Sequence, residues 1–192
     1  MREEFLSDEV LIHQYTLGNK KSLGTLFYRH QKKVVTYLYF KVNDRQIAED
    51  IFIESFFKII KTIDNKRYKE NGKFYNLLIS VAKNSSIDYF RKIKNQPRMV
   101  DINTFSPIKN LKDGYEDKAF IEQQEKVLVQ IKEIIQELPA DEREIVVLKH
   151  YADLTFREIS DLTGINLNTA LSKMRIALQR IRKMAEQREI KL

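Results

Sequence analysis

Hydrogen-bonding and cationic side chains recur on one side of a predicted helix near the C-terminal end of the chain. Between Asn166 and Lys183 there is no Asp or Glu, whereas a helix that merely faces solvent usually mixes acidic and basic residues. A helix fits the major groove of DNA, where such side chains can bond base edges and phosphates. The predicted DNA-contact residues are Asn168, Thr169, Ser172, Lys173, Arg175, Gln179 and Arg180.

Two short apolar patterns around Gly164 predict the elements that must position these side chains. Before the glycine, apolar residues from Phe156 to Leu162 recur at helical spacing. Gly164 can adopt the left-handed conformation that reverses the chain, and Asn166 is suited to cap the helix that follows. The pattern therefore predicts a helix-turn-helix. The inward face of its second helix is predicted to hold Leu167, Ala170, Met174, Ala177 and Ile181.

A second basic segment, residues 64–92, combines cations with aromatic rings. Residues 64–73 are polar and predict a loop, and residues 74–92 predict a helix. Basic side chains interleaved with rings suit single-stranded nucleic acid, since cations follow phosphates and rings stack on unpaired bases. Aromatic residues at helical spacing are also typical of a core, so both interpretations stay open here. The predicted core residues of the helix are Leu77, Leu78, Val81, Ile87 and Phe90.

The preceding predicted helix, about residues 46–63, carries an acidic pair beside an apolar strip. At about 100° per residue, Asp50 and Glu54 fall together, with Ile53 and Phe57 next to them. Ile53 and Phe57 either pack on a neighbouring helix of the same bundle or form a docking surface for a basic, amphipathic partner helix. The pattern alone leaves both open. The inward face is predicted to hold Phe52, Phe56, Ile59 and Ile63.

Composition bounds the class of protein. The chain has 192 residues, no cysteine and a net charge of +7, which favours a polyanionic partner. The histidines are scattered, and His30 is predicted to be a satisfied core residue. Without a phosphate-binding glycine loop or a nucleophile elbow, we predict no catalytic residue, no metal site, no cofactor and no enzyme. No apolar run approaches the length of a membrane span, so we expect a cytoplasmic protein without membrane insertion.

The fold class predicted from these patterns is all-α, with two small helical domains joined by an extended linker. We place the first domain at residues 1–94, the linker at 95–116 and the helix-turn-helix domain at 117–192. The linker has Pro97, Pro107 and Gly114 and no sustained hydrophobic period. A helix is predicted from about Asp117 to Leu138.

Together these residues resemble the sigma-70 family of bacterial transcription initiation factors, specifically the compact extracytoplasmic-function class. Residues 138–181, LPADEREIVVLKHYADLTFREISDLTGINLNTALSKMRIALQRI, look like the family's region 4. Residues 48–59, AEDIFIESFFKI, look like region 2.2, with Ile53 in place of the usual Gln. Residues 74–92, FYNLLISVAKNSSIDYFRK, look like regions 2.3 and 2.4, with Leu77 in place of the usual Trp.

The resemblance implies a role for each segment. Region 2.2 would dock on core RNA polymerase, and region 4 would read the minus-thirty-five element of promoter DNA. An anti-sigma factor is implied as a further partner. The rival interpretations are a stand-alone DNA-binding regulator and a nucleic-acid enzyme, and the second lacks a catalytic constellation. The implied docking residues are Asp50, Ile53, Glu54 and Phe57. The implied contacts to the melted minus-ten strand are Lys66, Arg67, Tyr68, Phe74, Lys83, Asn84 and Arg91.

Overall fold

A computed structural model of the chain describes residues 6–68, 72–95 and 129–190, and the regular secondary structure in these ranges is helical. The chain divides into two compact units, Met1–Thr104 and Phe105–Leu192. The predicted all-α class with two helical domains is therefore confirmed. The predicted linker at 95–116 lies outside the described residues apart from Asn95, so its bounds stay a prediction. No helix within the described ranges has the length and apolar character that crossing a membrane requires.

Polar residues define the helix ends of the first unit. The Ser7 hydroxyl accepts a hydrogen bond from the Val10 amide at 3.3 Å and caps the first helix. The Asn19 side chain caps the second helix, which begins at Lys20. The helices of the first unit are α1 (Asp8–Thr16), α2 (Lys20–Val42), α3 (Arg45–Asp64) and α4 (Phe74–Asn95).

The core of the first unit lies where α2, α3 and α4 pack on one another. The Phe27 ring of α2 has its centroid 4.9 Å from that of Phe52 and 5.2 Å from that of Phe56. These rings bury large apolar areas and fix the orientation of α3. The predicted inward face of α3 is confirmed, because Phe52, Phe56, Ile59 and Ile63 are all buried.

The predicted core face of α4 is partly wrong. Leu78 is buried, but Leu77, Ile87 and Phe90 are exposed. Beyond Ile79 the packed face is built of small side chains instead, which let α4 approach its neighbours closely. A buried serine can bond the backbone of its own helix. The Ser86 hydroxyl does so, donating to the Lys83 carbonyl at 2.6 Å. The buried residues of α4 are Phe74, Leu78, Ile79, Ala82, Ser85 and Ser86.

The second unit contains the helix-turn-helix. A helix covers residues 129–137 (α5), and the remaining part of the prediction, residues 117–128, lies outside the described residues. Gly164 has a φ of 74°, as the predicted turn requires, and the Asn166 side chain accepts a hydrogen bond from the Asn168 amide at 2.8 Å. The other helices are α6 (Ala140–His150), α7 (Phe156–Thr163) and α8 (Leu167–Gln187).

Helix α8 packs on α6 and α7 through a narrow face. Four of the five predicted inward residues, Ala170, Met174, Ala177 and Ile181, are buried. The prediction was wrong for Leu167, which is exposed. Leu167 is the first residue of α8, at the edge of the packed face. Helical side chains lean toward the N-terminus, so Leu167 points past the end of the packed surface.

Candidate nucleic-acid interface

The outward face of α8 brings together most of the predicted duplex contacts. Its exposed side chains offer both hydrogen-bond donors and acceptors, and Arg175 adds a planar cation suited to guanine or phosphate. Among the described residues, no acidic group pairs with Arg175. The predicted residues that are exposed without an ion pair are Asn168, Thr169, Ser172, Arg175 and Gln179.

Two predicted contacts, Lys173 and Arg180, are in different surroundings. The Lys173 ammonium donates a hydrogen bond to the Asp141 carboxylate, and this bond is the main reason that the pKa of Asp141 lies below its ordinary value. The Arg180 guanidinium lies 3.1 Å from an oxygen of Glu142, too misaligned to count as a hydrogen bond. Both cations therefore hold α8 against the start of α6, and they lie at the edge of the outward face.

One exposed cation of α8 was missed. Arg182 is exposed and has no acidic partner among the described residues. The sequence could have identified Arg182, because it lies in the same run from Asn166 to Lys183 that contains no acidic residue. It extends the positive surface toward the C-terminal half of α8.

The basic loop before α4 is described up to Tyr68. Lys66 and Arg67 are exposed, and Lys66 has a left-handed φ of 55°. The half-buried Tyr68 ring meets the Phe74 ring edge-on, with centroids 6.5 Å apart. Phe74 itself is only 1% exposed and belongs to the core. We therefore correct the prediction that Phe74 contacts the strand, since a ring packed on all sides cannot stack on a base.

The remaining strand-contact residues are spread along α4. Asn84 and Arg91 are exposed and seven residues apart, which places them on one face about 10 Å apart along the axis. Lys83 is half-buried on a neighbouring face. The Arg91 guanidinium lies 3.6 Å from the Asp88 carboxylate, a solvent-exposed pair that a phosphate can displace. The arrangement is an extended strip suited to a strand rather than a closed pocket.

The apolar strip on α3 faces outward. Ile53 is 41% exposed and Phe57 is 60% exposed, and Asp50 and Glu54 beside them are exposed as well. The bundle therefore does not use these two side chains for its own packing in the described part of the chain. Of the two interpretations that the sequence left open, the exposure favours a docking surface.

A cleft of about 440 Å³ lies between α3 and α4, on the side of α3 that carries Asp50 and Glu54. Asp50, Glu54 and Lys58 line it from α3, and Ser85 and Lys92 are among the residues that line it from α4. Lys58 lies 2.7 Å from Glu54 and donates to the Ser85 hydroxyl at 3.0 Å. The hydrogen bond from Lys58 is the main cause that holds the pKa of Glu54 below its ordinary value. Glu54 is thus kept ionised at the rim of the cleft.

The predicted core histidine is confirmed. His30 is buried, and its Nε2 lies 2.7 Å from the Asp8 carboxylate. Its ring stacks on Tyr75 with centroids 5.0 Å apart. These contacts join α1, α2 and α4, so His30 serves the packing of the bundle. No cluster of His, Cys, Asp or Glu suited to a metal ion occurs in residues 6–68, 72–95 and 129–190.

Family comparisons match both units in order. The family model "Sigma-70 region 2" matches residues 26–96, and "Sigma-70, region 4" matches residues 128–184. The RNA polymerase sigma factor SigV of Bacillus subtilis is 29% identical over 166 residues, covering 85% of this chain and 90% of that protein. The ECF RNA polymerase sigma-E factor of Escherichia coli K12 is 24% identical over 176 residues, covering 89% of this chain and 90% of that one.

A solved structure shares the fold. The structure of CnrH in complex with the cytosolic domain of CnrY matches with a TM-score of 0.63 at 15% identity, covering 94% of this chain and 97% of that chain. At this identity the match establishes the arrangement of helices alone.

Proposed function

The chain belongs to the sigma-70 family, in its extracytoplasmic-function class, and is a sigma factor that recognises promoters for RNA polymerase; we propose that its two helical units divide this work. The first unit docks on core polymerase and captures the melted minus-ten strand. The second unit reads the minus-thirty-five duplex. The observation that carries this proposal is the exposed apolar strip on α3 in the same chain as a helix-turn-helix.

Docking uses the strip on α3. Ile53 and Phe57 supply apolar area, and the neighbouring Asp50 and Glu54 supply charge for a basic partner. An exposed aromatic ring beside charged groups is the kind of anchor around which protein interfaces form. The Lys58 contact to Glu54 limits how that carboxylate can turn, so the acidic rim is already ordered before the partner arrives.

Strand capture uses the loop and the outer face of α4. Lys66 and Arg67 would follow phosphates, Tyr68 offers a ring edge, and Asn84 and Arg91 offer hydrogen bonds. Stacking and phosphate contacts to unpaired bases offset the cost of unstacking them. Lys83 belongs to the same surface, but we expect it to contribute less to strand binding because it is half-buried.

Duplex reading uses the first turns of α8. Asn168, Ser172 and Arg175 provide base-edge hydrogen bonds, with Thr169 and Gln179 at the margins. A single helix of this size contacts few phosphates, so each unit alone would bind DNA weakly. Polymerase, by holding both units, raises the effective concentration of each at its element.

The expected partners are core RNA polymerase, promoter DNA and an inhibitory anti-sigma protein; CnrH, a protein of the same fold, was solved in complex with the cytosolic domain of CnrY. We place the activity in the cytoplasm, where the polymerase works. The protein acts by binding and positioning and needs no catalysis of its own.

The test is reconstitution. Purified chain is added to core RNA polymerase, promoters are selected from genomic fragments, and transcripts are mapped. We expect defined start sites that appear only with both components. The contrary result is a chain that binds duplex DNA tightly by itself but neither co-elutes with polymerase nor directs transcripts. Such a chain is a stand-alone regulator, and the proposal fails.

A further inference from the structure

Large apolar side chains are exposed on the outward part of α8. Leu171 is 44% exposed, Ile176 is 40% exposed and Leu178 is 47% exposed. Single exposed apolar residues are common on protein surfaces and need no explanation. Here, however, they interrupt a helix face that is otherwise built of hydrogen-bonding and cationic groups.

Leu171 and Ile176 frame the residues that read base edges. At about 100° per residue they lie about 140° apart around the axis, with Arg175 and Ser172 between them. Both belong to the first three turns of α8, whose N-terminal end is the part that meets base edges in a helix-turn-helix. Leu178 lies nearer to the packed face and about 10 Å beyond Leu171 along the helix.

The charge around the pair indicates what covers it. Arg175, Arg182 and Lys183 are exposed on the same helix, and within the described residues none of them has an acidic partner. These three cations, with no acidic residue between them, complement the phosphates on either side of a DNA groove. Inside the major groove, the apolar group that a base pair presents is the C5 methyl of thymine.

We propose that Leu171 and Ile176 are specificity residues that pack against thymine methyl groups in the upstream element, on either side of the hydrogen bonds made by Ser172 and Arg175. The inference rests on the proposed function and adds a chemical preference to it. Covering one methyl group contributes roughly a fourfold change in affinity. The element should therefore contain thymine where hydrogen bonds alone would not select it.

The experiment removes only the methyl group. Full-length chain with core polymerase selects its element from a randomised duplex library. The selected duplex is then made with thymine and with uracil at each position in turn. We expect the wild-type complex to bind the uracil duplex about fourfold more weakly at two positions, one for each apolar residue. Leu171→Ala or Ile176→Ala should abolish that difference at one position each, and Leu178→Ala, a matched exposed control, should preserve it.

The outcomes separate the two proposals. Failure to select any element contradicts the proposed function. Selection of an element without a thymine–uracil difference, or with a difference that Leu171→Ala and Ile176→Ala leave intact, overturns the methyl contact. If Leu171→Ala and Leu178→Ala instead weaken polymerase binding alike, the apolar residues are a protein-docking surface and the inference is wrong.

Discussion

Two arginines of α8 differ in surroundings although the sequence presents them as equivalent. Arg175 is exposed without an acidic partner in the described part of the chain, whereas Arg180 lies 3.1 Å from Glu142. The Glu142 side chain is only 10% exposed, so removing the cation beside it would leave a nearly buried carboxylate without an ion pair. At the scale of single residues, Arg175 is therefore the arginine that we propose for DNA contact, whereas Arg180 lies beside an acidic residue of its own unit.

Replacing each arginine by methionine should separate these roles. Arg175→Met should lower promoter affinity of the polymerase complex about tenfold and leave stability unchanged, because only an exposed contact is lost. Arg180→Met should destabilise the second unit by about 1–3 kcal/mol, because a nearly buried carboxylate loses its cation. Hydrogen exchange of the α6 and α8 amides measures the second effect. Equal destabilisation by both substitutions would contradict the assignment.

Asp8 provides a pH-dependent prediction. Burial raises its pKa, but the hydrogen bonds and charges of His30 and Arg29 outweigh burial and hold the pKa below 3.8. A lowered folded-state pKa means that the carboxylate stabilises the fold above the unfolded-state pKa, and that this stabilisation is lost as the pH falls through the folded-state value. Asp8→Asn should therefore cost about 1–3 kcal/mol at neutral pH, and this cost should shrink as the pH falls through the folded-state pKa of Asp8.

Chemical denaturation of the first unit across pH measures this effect. Asp88→Asn is the matched control, because Asp88 forms an exposed ion pair with Arg91 and losing such a pair should leave stability nearly unchanged. A pH-independent difference between wild type and Asp8→Asn would show that the carboxylate acts through shape rather than charge.

At the scale of elements, the turn of the helix-turn-helix depends on one backbone conformation. Gly164 has a φ of 74°, and a Cβ there would meet no atom within 4 Å. Gly164→Ala should therefore cost about 1–2 kcal/mol from the backbone alone. Gly164→Asn should cost less, since asparagine tolerates the left-handed region.

The same glycine-to-alanine substitution at Gly24 should change the free energy of unfolding in the opposite direction. It lies inside α2, and a Cβ there also meets nothing within 4 Å. Gly24→Ala should stabilise the first unit by about 0.5–1 kcal/mol, because alanine favours the helix. Thermal unfolding of the three variants measures both effects, and a destabilising Gly24→Ala would contradict the helix that contains it.

Helix ends were predictable from sequence and helix faces less so. Ser7, Gly164 and Asn166 define ends through local bonds and backbone angles, which depend on few neighbours. The packed face of α4 was harder, because Ala82 and Ser86 are buried for their small size whereas Phe90 stays in solvent. Hydropathy ranks these residues in the reverse order. Which apolar residue meets the core depends on how closely neighbouring helices approach, and sequence periodicity does not contain that distance.

The site residues show the same contrast between features set by local sequence and features set by contacts between distant segments. The outward face of α8 was predictable because the absence of acids over the whole run is a property of sequence. The pairing of Lys173 with Asp141 was not, because 32 positions separate the two residues along the chain. Phe74 was misassigned to the strand surface because an aromatic residue beside a basic loop suits both a base platform and a core.

At the scale of the whole molecule, we propose that polymerase docking and duplex reading use different units. The docking strip around Phe57 lies in the first unit and Arg175 lies in the second. A change on one surface should therefore leave the other intact. Proteins that dock and read DNA through one shared surface would not allow this separation.

The most direct test measures the affinity of full-length chain for core polymerase without DNA. Phe57→Ser removes an exposed ring and should weaken this affinity about 10-fold to 100-fold. Arg175→Met should leave it unchanged while lowering promoter binding by the assembled complex. If Phe57→Ser binds polymerase as wild type does, or if Arg175→Met loses polymerase affinity, the division of labour between the two units is contradicted.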